Sequence, residues 1–290
     1  MHLARLVGKL EQVELLDPAV DAVAGVVNQV LPPGDVKDVL HGKFLGHALH
    51  PLLVALPIGM NVGALLLDLT GGERARPAAQ RLVGAAVLLV APTAASGLAD
   101  WSELGSERRP KRVGLVHAAS NVVATGFFAA SWLARRRGRH GTGAALALAG
   151  SAGLSVGGYL GGHLAYSEAV AVNRNADRTP IPEDWEDVAA ADDLDGGMLR
   201  VAAAGQPVLI ARHGGALFAM GAVCSHLGGA LDEGEIVDDD DDGGGCVVCP
   251  LHGSHFRLRD AAVARGPATA PVLAFDVRQV ADRIQVRART

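Results

Sequence analysis

The chain of 290 residues holds only three cysteines, Cys224, Cys246 and Cys249, all in its second half. So small and odd a number excludes a disulfide framework and leaves metal or redox chemistry. A basic face is missing from the same half. Residues 168–290 carry 11 Lys and Arg against 20 Asp and Glu, which excludes a nucleic-acid binder. No G-x-G-x-x-G follows a strand pattern, so there is no sign of a flavin or nicotinamide half. Residues 1–40 lack the apolar run and small-residue cleavage site of a secretory signal peptide.

The most informative absence is charge. Four stretches contain no Asp, Glu, Lys or Arg: 44–67, 82–99, 113–134 and 141–167, of 24, 18, 22 and 27 residues. A bilayer core needs about 20 apolar residues per helix, range about 17–25. With a mean hydropathy of +0.25, the stretches predict four membrane spans over residues 44–167. A soluble bundle of buried helices fits four uncharged runs with basic flanks poorly. The charged segments between them, Glu73–Arg76, Glu107–Arg112 and Arg135–Arg139, read as turns. Glycine recurs inside the spans, as expected where membrane helices approach closely. Before them, in residues 1–43, Leu6, Leu10, Val13, Leu16, Val20, Val23 and Val27 recur at helical steps. That predicts amphipathic helices, interrupted at Asp17-Pro18, which lie on the membrane surface or cover the bundle.

Four spans place both termini on one side. Lys and Arg near the spans number eight on that side and seven on the other, which decides nothing under the positive-inside rule. The missing export signal tilts the expectation to termini in the cytoplasm of a multi-pass cell-membrane protein. Residues 168–184 read as a polar linker. Residues 185–290 read as a small all-β domain, with short strands expected at 198–204, 207–212, 216–221, 246–249, 272–278 and 283–288. The expected fold is thus a membrane all-α four-helix bundle followed by a small all-β domain.

Two clusters stand out in the β part: Cys224-Ser225-His226 and Cys249-Pro250-Leu251-His252. Each offers one thiolate and one imidazole. Two Cys and two His suit a [2Fe–2S] centre in which two His replace two Cys on one iron. They also suit a tetrahedral zinc site, and Cys246-x-x-Cys249 mimics a zinc knuckle. The segments Cys-Ser-His-Leu-Gly-Gly (224–229) and Cys-Pro-Leu-His-Gly-Ser-His-Phe (249–256) resemble the two cluster loops of Rieske iron–sulfur domains. Gly266-Pro267-Ala268 and Pro271 resemble the proline loop that covers the cluster there. The resemblance implies a [2Fe–2S] cluster with Cys224 and Cys249 on one iron and His226 and His252 on the other. Cys246 then stays a strand residue. It also implies that Ser254 donates to a bridging sulfide, and that Phe256 stands where high-potential members carry a tyrosine donor. Gly229 and Leu251 occupy the positions of those members' disulfide, so the chain is similar to the disulfide-free, ferredoxin-like branch. Residues 238–245 lengthen the loop between the ligand pairs and read as a solvated hairpin tip.

The apolar half resembles a bacterial four-helix membrane domain of unknown function found fused ahead of Rieske domains. The matching residues are Gly46-His47-Ala48-Leu49-His50-Pro51, Leu56-Pro57-Ile58-Gly59, His117-Ala118 and Gly161-Gly162-His163. His47, His50, His117 and His163 fall at one level of the spans. Ionisable residues in spans usually face the bundle interior and mark function. Haem b, a quinone head group, a metal ion and plain interfacial hydrogen bonding all remain open for them. The expected function is a membrane-anchored one-electron carrier between a redox partner protein and a quinone or haem site in the bilayer. A redox sensor or assembly factor is the alternative. No oxygenase metal site of two His and one carboxylate is recognisable in the chain.

Overall fold

The structure, a computed structural model, describes residues 2–176, 181–195, 197–238 and 244–289, with side chains from residue 5. Part of the expected linker (177–180), Gly196 and most of the expected hairpin tip (239–243) lie outside these residues. The chain forms two compact units: residues 1–32 with 49–170, and residues 33–48 with 171–290.

The first unit is helical: α1 (His2–Leu10), α2 (Asp17–Val30), and later α4 (His50–Thr70), α5 (Gly72–Ser102), α6 (Arg108–Arg136) and α7 (His140–Tyr166). The last four are each long and apolar enough to cross a bilayer. Their outward faces carry Leu52, Leu66, Leu88, Val122, Phe127, Leu148 and Val156, while small residues such as Ala64, Ala79, Ala124 and Ala147 fill the interior. Large apolar groups outside and small ones inside is the arrangement expected where lipid is the solvent.

The helices overrun the uncharged stretches. Glu73–Arg76 and Arg108–Arg112, expected as turns, are the opening turns of α5 and α6. A helix end at a bilayer surface satisfies its charges in water or in ion pairs, so charge does not end it. Arg112 shows how: its Nε and Nη2 donate to the two carboxylate oxygens of Asp17 at 2.7 Å each. Arg108 donates to Asp21 at 2.6 Å. These pairs hold α2 against α6, and Val7 of α1 packs with Val113 and Leu160. The amphipathic faces of α1 and α2 therefore cover the bundle. At the other end of the first span, α4 begins only at His50-Pro51, where proline's fixed φ suits the first turn.

α4, α5, α6 and α7 pack in a ring, α4 also touching α7, so α4 and α6 stand on one diagonal. Two polar contacts cross that diagonal. His50 and His117 meet with ring centroids 6.5 Å apart. Arg135 grips Asp68 with both terminal nitrogens, Nη1 to Oδ1 at 2.7 Å and Nη2 to Oδ2. Each contact joins residues 67 positions apart, and each helix separates its two groups by 18 residues. At 1.5 Å per residue that is about 27 Å, nearly the thickness of a hydrocarbon core.

Among the described residues the second unit contains α3 (Asp35–His41) and ten strands: β1 (Glu186–Ala190), β2 (Met198–Ala203), β3 (Gln206–His213), β4 (Ala216–Gly221), β5 (Glu235–Val237), β6 (Cys246–Val248), β7 (His255–Arg257), β8 (Val263–Arg265), β9 (Ala274–Val280) and β10 (Arg283–Ala288). They form a six-stranded antiparallel sheet, ordered β1-β10-β9-β4-β3-β2, and a four-stranded antiparallel sheet, β5-β6-β7-β8. β3 serves two cores because strand side chains alternate. Val208 and Ile210 enter one core with Phe275, Ile284 and Val286. Leu209 and Ala211 enter the other with Met220, Leu231, Phe256, Cys224 and Cys249. The three-residue strands β5, β7 and β8, and β1, are additions to the sequence-derived set.

Residues 33–48 belong wholly to this unit. Asp38, 6 % exposed, accepts the Gly266 N–H on Oδ1 at 2.9 Å and the Lys43 ammonium on Oδ2 at 2.7 Å. Lys43 also donates to the carbonyl of Ala264 at 2.7 Å. The segment thus clasps the strand end and loop that lead into Pro267.

Candidate functional site

The two Cys–His pairs sit in loops of matching construction. Cys224 and His226 lie between β4 and β5, and Cys249 and His252 in the β6–β7 turn. In the first loop the Cys224 N–H donates to Gly229 O at 2.8 Å, and Gly228 N–H to Cys224 O at 3.0 Å. In the second, Cys249 N–H donates to Ser254 O at 2.8 Å, and Gly253 N–H to Cys249 O at 3.0 Å. Gly228 and Gly253, each four residues after its cysteine, have φ of 77° and 70°. Only glycine takes that left-handed turn without cost. Each turn aims two amides at its own sulfur: His226 and Leu227 N–H at Cys224 Sγ, Leu251 and His252 N–H at Cys249 Sγ.

The four donors converge. The two sulfurs are within hydrogen-bonding reach of each other, and both cysteines are buried. Sharing a proton with Cys249 and burial push the Cys224 thiol up, while the same contact draws Cys249 below the usual thiol range. The imidazoles of His226 and His252 meet edge to face at 5.0 Å between centroids. Burial, with His252, His41 and Arg174 nearby, lowers the His226 pKa to about 3. A neutral imidazole is the form that binds metal. Its Nδ1 is buried and has no hydrogen-bond partner among the described residues. A buried polar atom left without a protein partner is costly and asks for a ligand. Two sulfurs ringed by amide donors and two imidazoles meeting edge to face thus fit a metal cluster that needs thiolate and imidazole together.

The residues around the loops lock them. The Ser225 hydroxyl donates to Ala270 O at 2.6 Å, tying the first loop to segment 266–271. Ser254, fully buried, accepts the Ala268 N–H at 3.0 Å, tying the second loop to the same segment. Cys246 is buried in β6 opposite Arg257, as a strand residue. Phe256 is fully buried in β7. The contribution of Asp38 and Lys43 had no motif to announce it. Asp38 is buried and Lys43 partly exposed, and neither shows its partner in the sequence.

The four membrane-half histidines do not form one group. His50 and His117 come together, and their Nδ1 atoms lie 3.0 and 2.7 Å from the carbonyl oxygens of Thr93 and Gly157. Each ring lies against a glycine four residues further on, Gly97 and Gly161, where a Cβ would come within 2.8 and 3.1 Å of it. His117 Nε2 also contacts Asn121 Nδ2 at 3.2 Å. His163 instead contacts Glu11. His47 lies in the second unit, with its Nδ1 3.1 Å from Ala48 O.

Comparison with known proteins divides the chain in the same order. Residues 46–174 match the family described as "Predicted membrane protein (DUF2231)", and residues 184–280 match the Rieske [2Fe–2S] domain. Over 104 residues the chain is 35 % identical to the anthranilate 1,2-dioxygenase ferredoxin subunit of Burkholderia cepacia, covering 36 % of this chain and 91 % of that protein. It is 34 % identical over 98 residues to the biphenyl 2,3-dioxygenase ferredoxin component of Rhodococcus jostii (strain RHA1), covering 34 % of this chain and 86 % of that one. Among solved structures, the ferredoxin of carbazole 1,9a-dioxygenase from Nocardioides aromaticivorans IC177 is 30 % identical, with a TM-score of 0.32, over 36 % of this chain and 98 % of that one.

Proposed function

Since the chain belongs, through its second half, to the Rieske [2Fe–2S] family, we propose that it is a bilayer-anchored carrier of single electrons between a redox partner protein and a membrane redox site. The observation that carries this reading is the convergence of Cys224, Cys249, His226 and His252 in one chain with four apolar helices. Cys224 and Cys249 would hold one iron and His226 and His252 the other. A [2Fe–2S] cluster supplies one-electron exchange and no bond-making of its own.

The protein's part is to hold and tune. The four amides aimed at the sulfurs stabilise negative charge, which favours the reduced state. Ser254 Oγ accepts from Ala268, which leaves its own proton to donate to a sulfide. Phe256 has no hydroxyl, so one further donor is missing. The midpoint is therefore expected in the lower half of the Rieske span of about −150 to +300 mV.

In the bundle, the His50–His117 pair supports a redox group of haem or quinone type. Nδ1 engaged by a carbonyl is the arrangement that fixes an imidazole's orientation, and it leaves His50 Nε2 to face a ligand, while His117 Nε2 meets Asn121 Nδ2. The relatives are ferredoxin subunits of dioxygenases by name, so the partner protein is expected to be a redox protein that accepts or gives one electron.

The test is rapid mixing of the full-length, detergent-solubilised protein with a reduced quinol, following cluster absorbance and EPR. Cluster reduction that slows in His117→Ala supports the reading. A cluster that exchanges electrons with neither a quinol nor a haem leaves a sensor and an anchor.

A further inference from the structure

His163 stands in the last turn of α7, and two carboxylates face the same ring nitrogen. Its Nε2 is 2.9 Å from Glu11 Oε1 and 3.7 Å from Glu168 Oε1. The three ligand atoms lie within 4.8 Å of one another. The side chains are 14, 14 and 24 % exposed, so water screens them only in part. Glu11 comes from just beyond α1, 152 residues before His163 in the chain. Its backbone is held, because Arg112 Nη1 donates to the Glu11 carbonyl at 2.8 Å. Glu168 is held too, its N–H donating to His163 O at 3.2 Å.

We propose that Glu11, His163 and Glu168 bind one divalent transition-metal ion, separate from both the cluster and the His50–His117 pair. Charge argues for it. The charge of two carboxylates at this half-buried place is matched by that of one M²⁺ ion, and the imidazole adds a nitrogen donor. Distance argues for it as well. Metal–ligand bonds of about 2.0–2.2 Å in a tetrahedron set donors about 3.4 Å apart, within the spread of distances at His163. One imidazole and two carboxylates suit Zn²⁺, Mn²⁺ or Fe²⁺, while Mg²⁺ and Ca²⁺ favour all-oxygen sites. The metal replaces the proton on Nε2, so binding releases a proton wherever that nitrogen was protonated. It ties the segment after α1 to the end of α7, just before the chain leaves the bundle unit at Val170. This proposal does not depend on the electron-transfer reading.

The test uses the full-length, cluster-loaded protein in detergent, stripped with a mild chelator and dialysed against Zn²⁺. Metal is then counted by mass spectrometry beside the two cluster irons. One zinc per chain is expected. Glu168→Gln, Glu11→Gln and His163→Gln are each expected to weaken it at least tenfold without changing the cluster's visible spectrum. Co²⁺ is expected to give a protein-bound visible absorption that the same three variants lose. The overturning results are no zinc beyond background in the wild type, or zinc that Glu168→Gln retains with unchanged affinity. Either leaves an ion pair between His163 and Glu11. A variant that fails to fold is recognised by its lost bundle helicity, and Glu168→Gln, just beyond α7, then carries the decision with Co²⁺.

Discussion

In the helical unit, Arg135 is fully buried yet answered by Asp68, Ser131 Oγ donates to Gly143 O, and His50 and His117 each lie on a backbone carbonyl. In the β unit, the buried polar atoms around Cys224 and Cys249 stop short of that. The amides point at the two sulfurs, and His226 Nδ1 has no protein partner among the described residues. Among the described residues the bundle also leaves two buried side-chain atoms without a partner, Asn61 Oδ1 and His140 Nδ1, but it holds no cysteine beside them. The β unit is built so that something else completes it. An element that closes on itself is a fold determinant, and one that stays open is a binding site.

That contrast can be broken most sharply at the open site. His226→Ala or Cys249→Ser is expected to abolish the EPR signal of the reduced cluster, while Cys246→Ser leaves it intact. Next comes the closed pair. Asp68→Asn strands a buried guanidinium and is expected to cost about 3–5 kcal/mol of stability. The double change Asp68→Leu with Arg135→Met should recover most of it, as read by unfolding in detergent. An equal loss in the double variant would mean that the pair is not self-contained. Third, Asp38→Asn weakens two charge-assisted bonds to Lys43 and Gly266, each worth about 1.5–3 kcal/mol. It should hasten thermal bleaching of the cluster while leaving bundle helicity unchanged. Fourth, Phe256→Tyr adds a donor beside the cluster. About 1 kcal/mol in favour of the reduced state raises a one-electron potential by about 40 mV. Potentiometric titration would show it.

The smallest effect is set by pH. Asp276 in β9 is held below the usual carboxylate range, chiefly by its hydrogen bond from Arg289 and also by Arg287. A depressed folded-state pKa gives stability that is complete above the unfolded value, about 3.9, and lost as pH falls through the folded one. Asp276→Asn should therefore lower stability slightly at neutral pH and flatten the acid limb of the β unit's unfolding profile.

Much of this architecture was legible in the chain. Four charge-free runs marked the spans, because a bilayer interior tolerates few charges. Their ends were not legible, because Arg108 and Arg112 meet Asp21 and Asp17 from a distant helix. Three-residue strands such as β7 contain too few residues to show a period. The cluster loops were legible because Cys-x-His and Cys-x-x-His carry donors of two kinds at loop spacing. The meeting of His50 with His117, and of Asp68 with Arg135, could have been found from their shared spacing of 67. That spacing compares two helices which contribute no common motif. The grouping of 33–48 with the second unit had no such marker, since a seven-residue helix shows its partner only in three dimensions.

That last segment has a consequence in time. Asp38 and Lys43 leave the ribosome 228 and 221 residues before their partners Gly266 and Ala264. At about 5–20 residues per second, the interval is roughly ten to fifty seconds. All four spanning helices are made within it. During that time Asp38, which ends up buried, and Lys43, which ends up partly exposed, lack these two partners. A fragment beginning at 171 never receives Asp38 or Lys43. Its loop at Gly266 then lacks the carboxylate of Asp38, so such a piece is expected to bleach at a lower temperature than the whole chain.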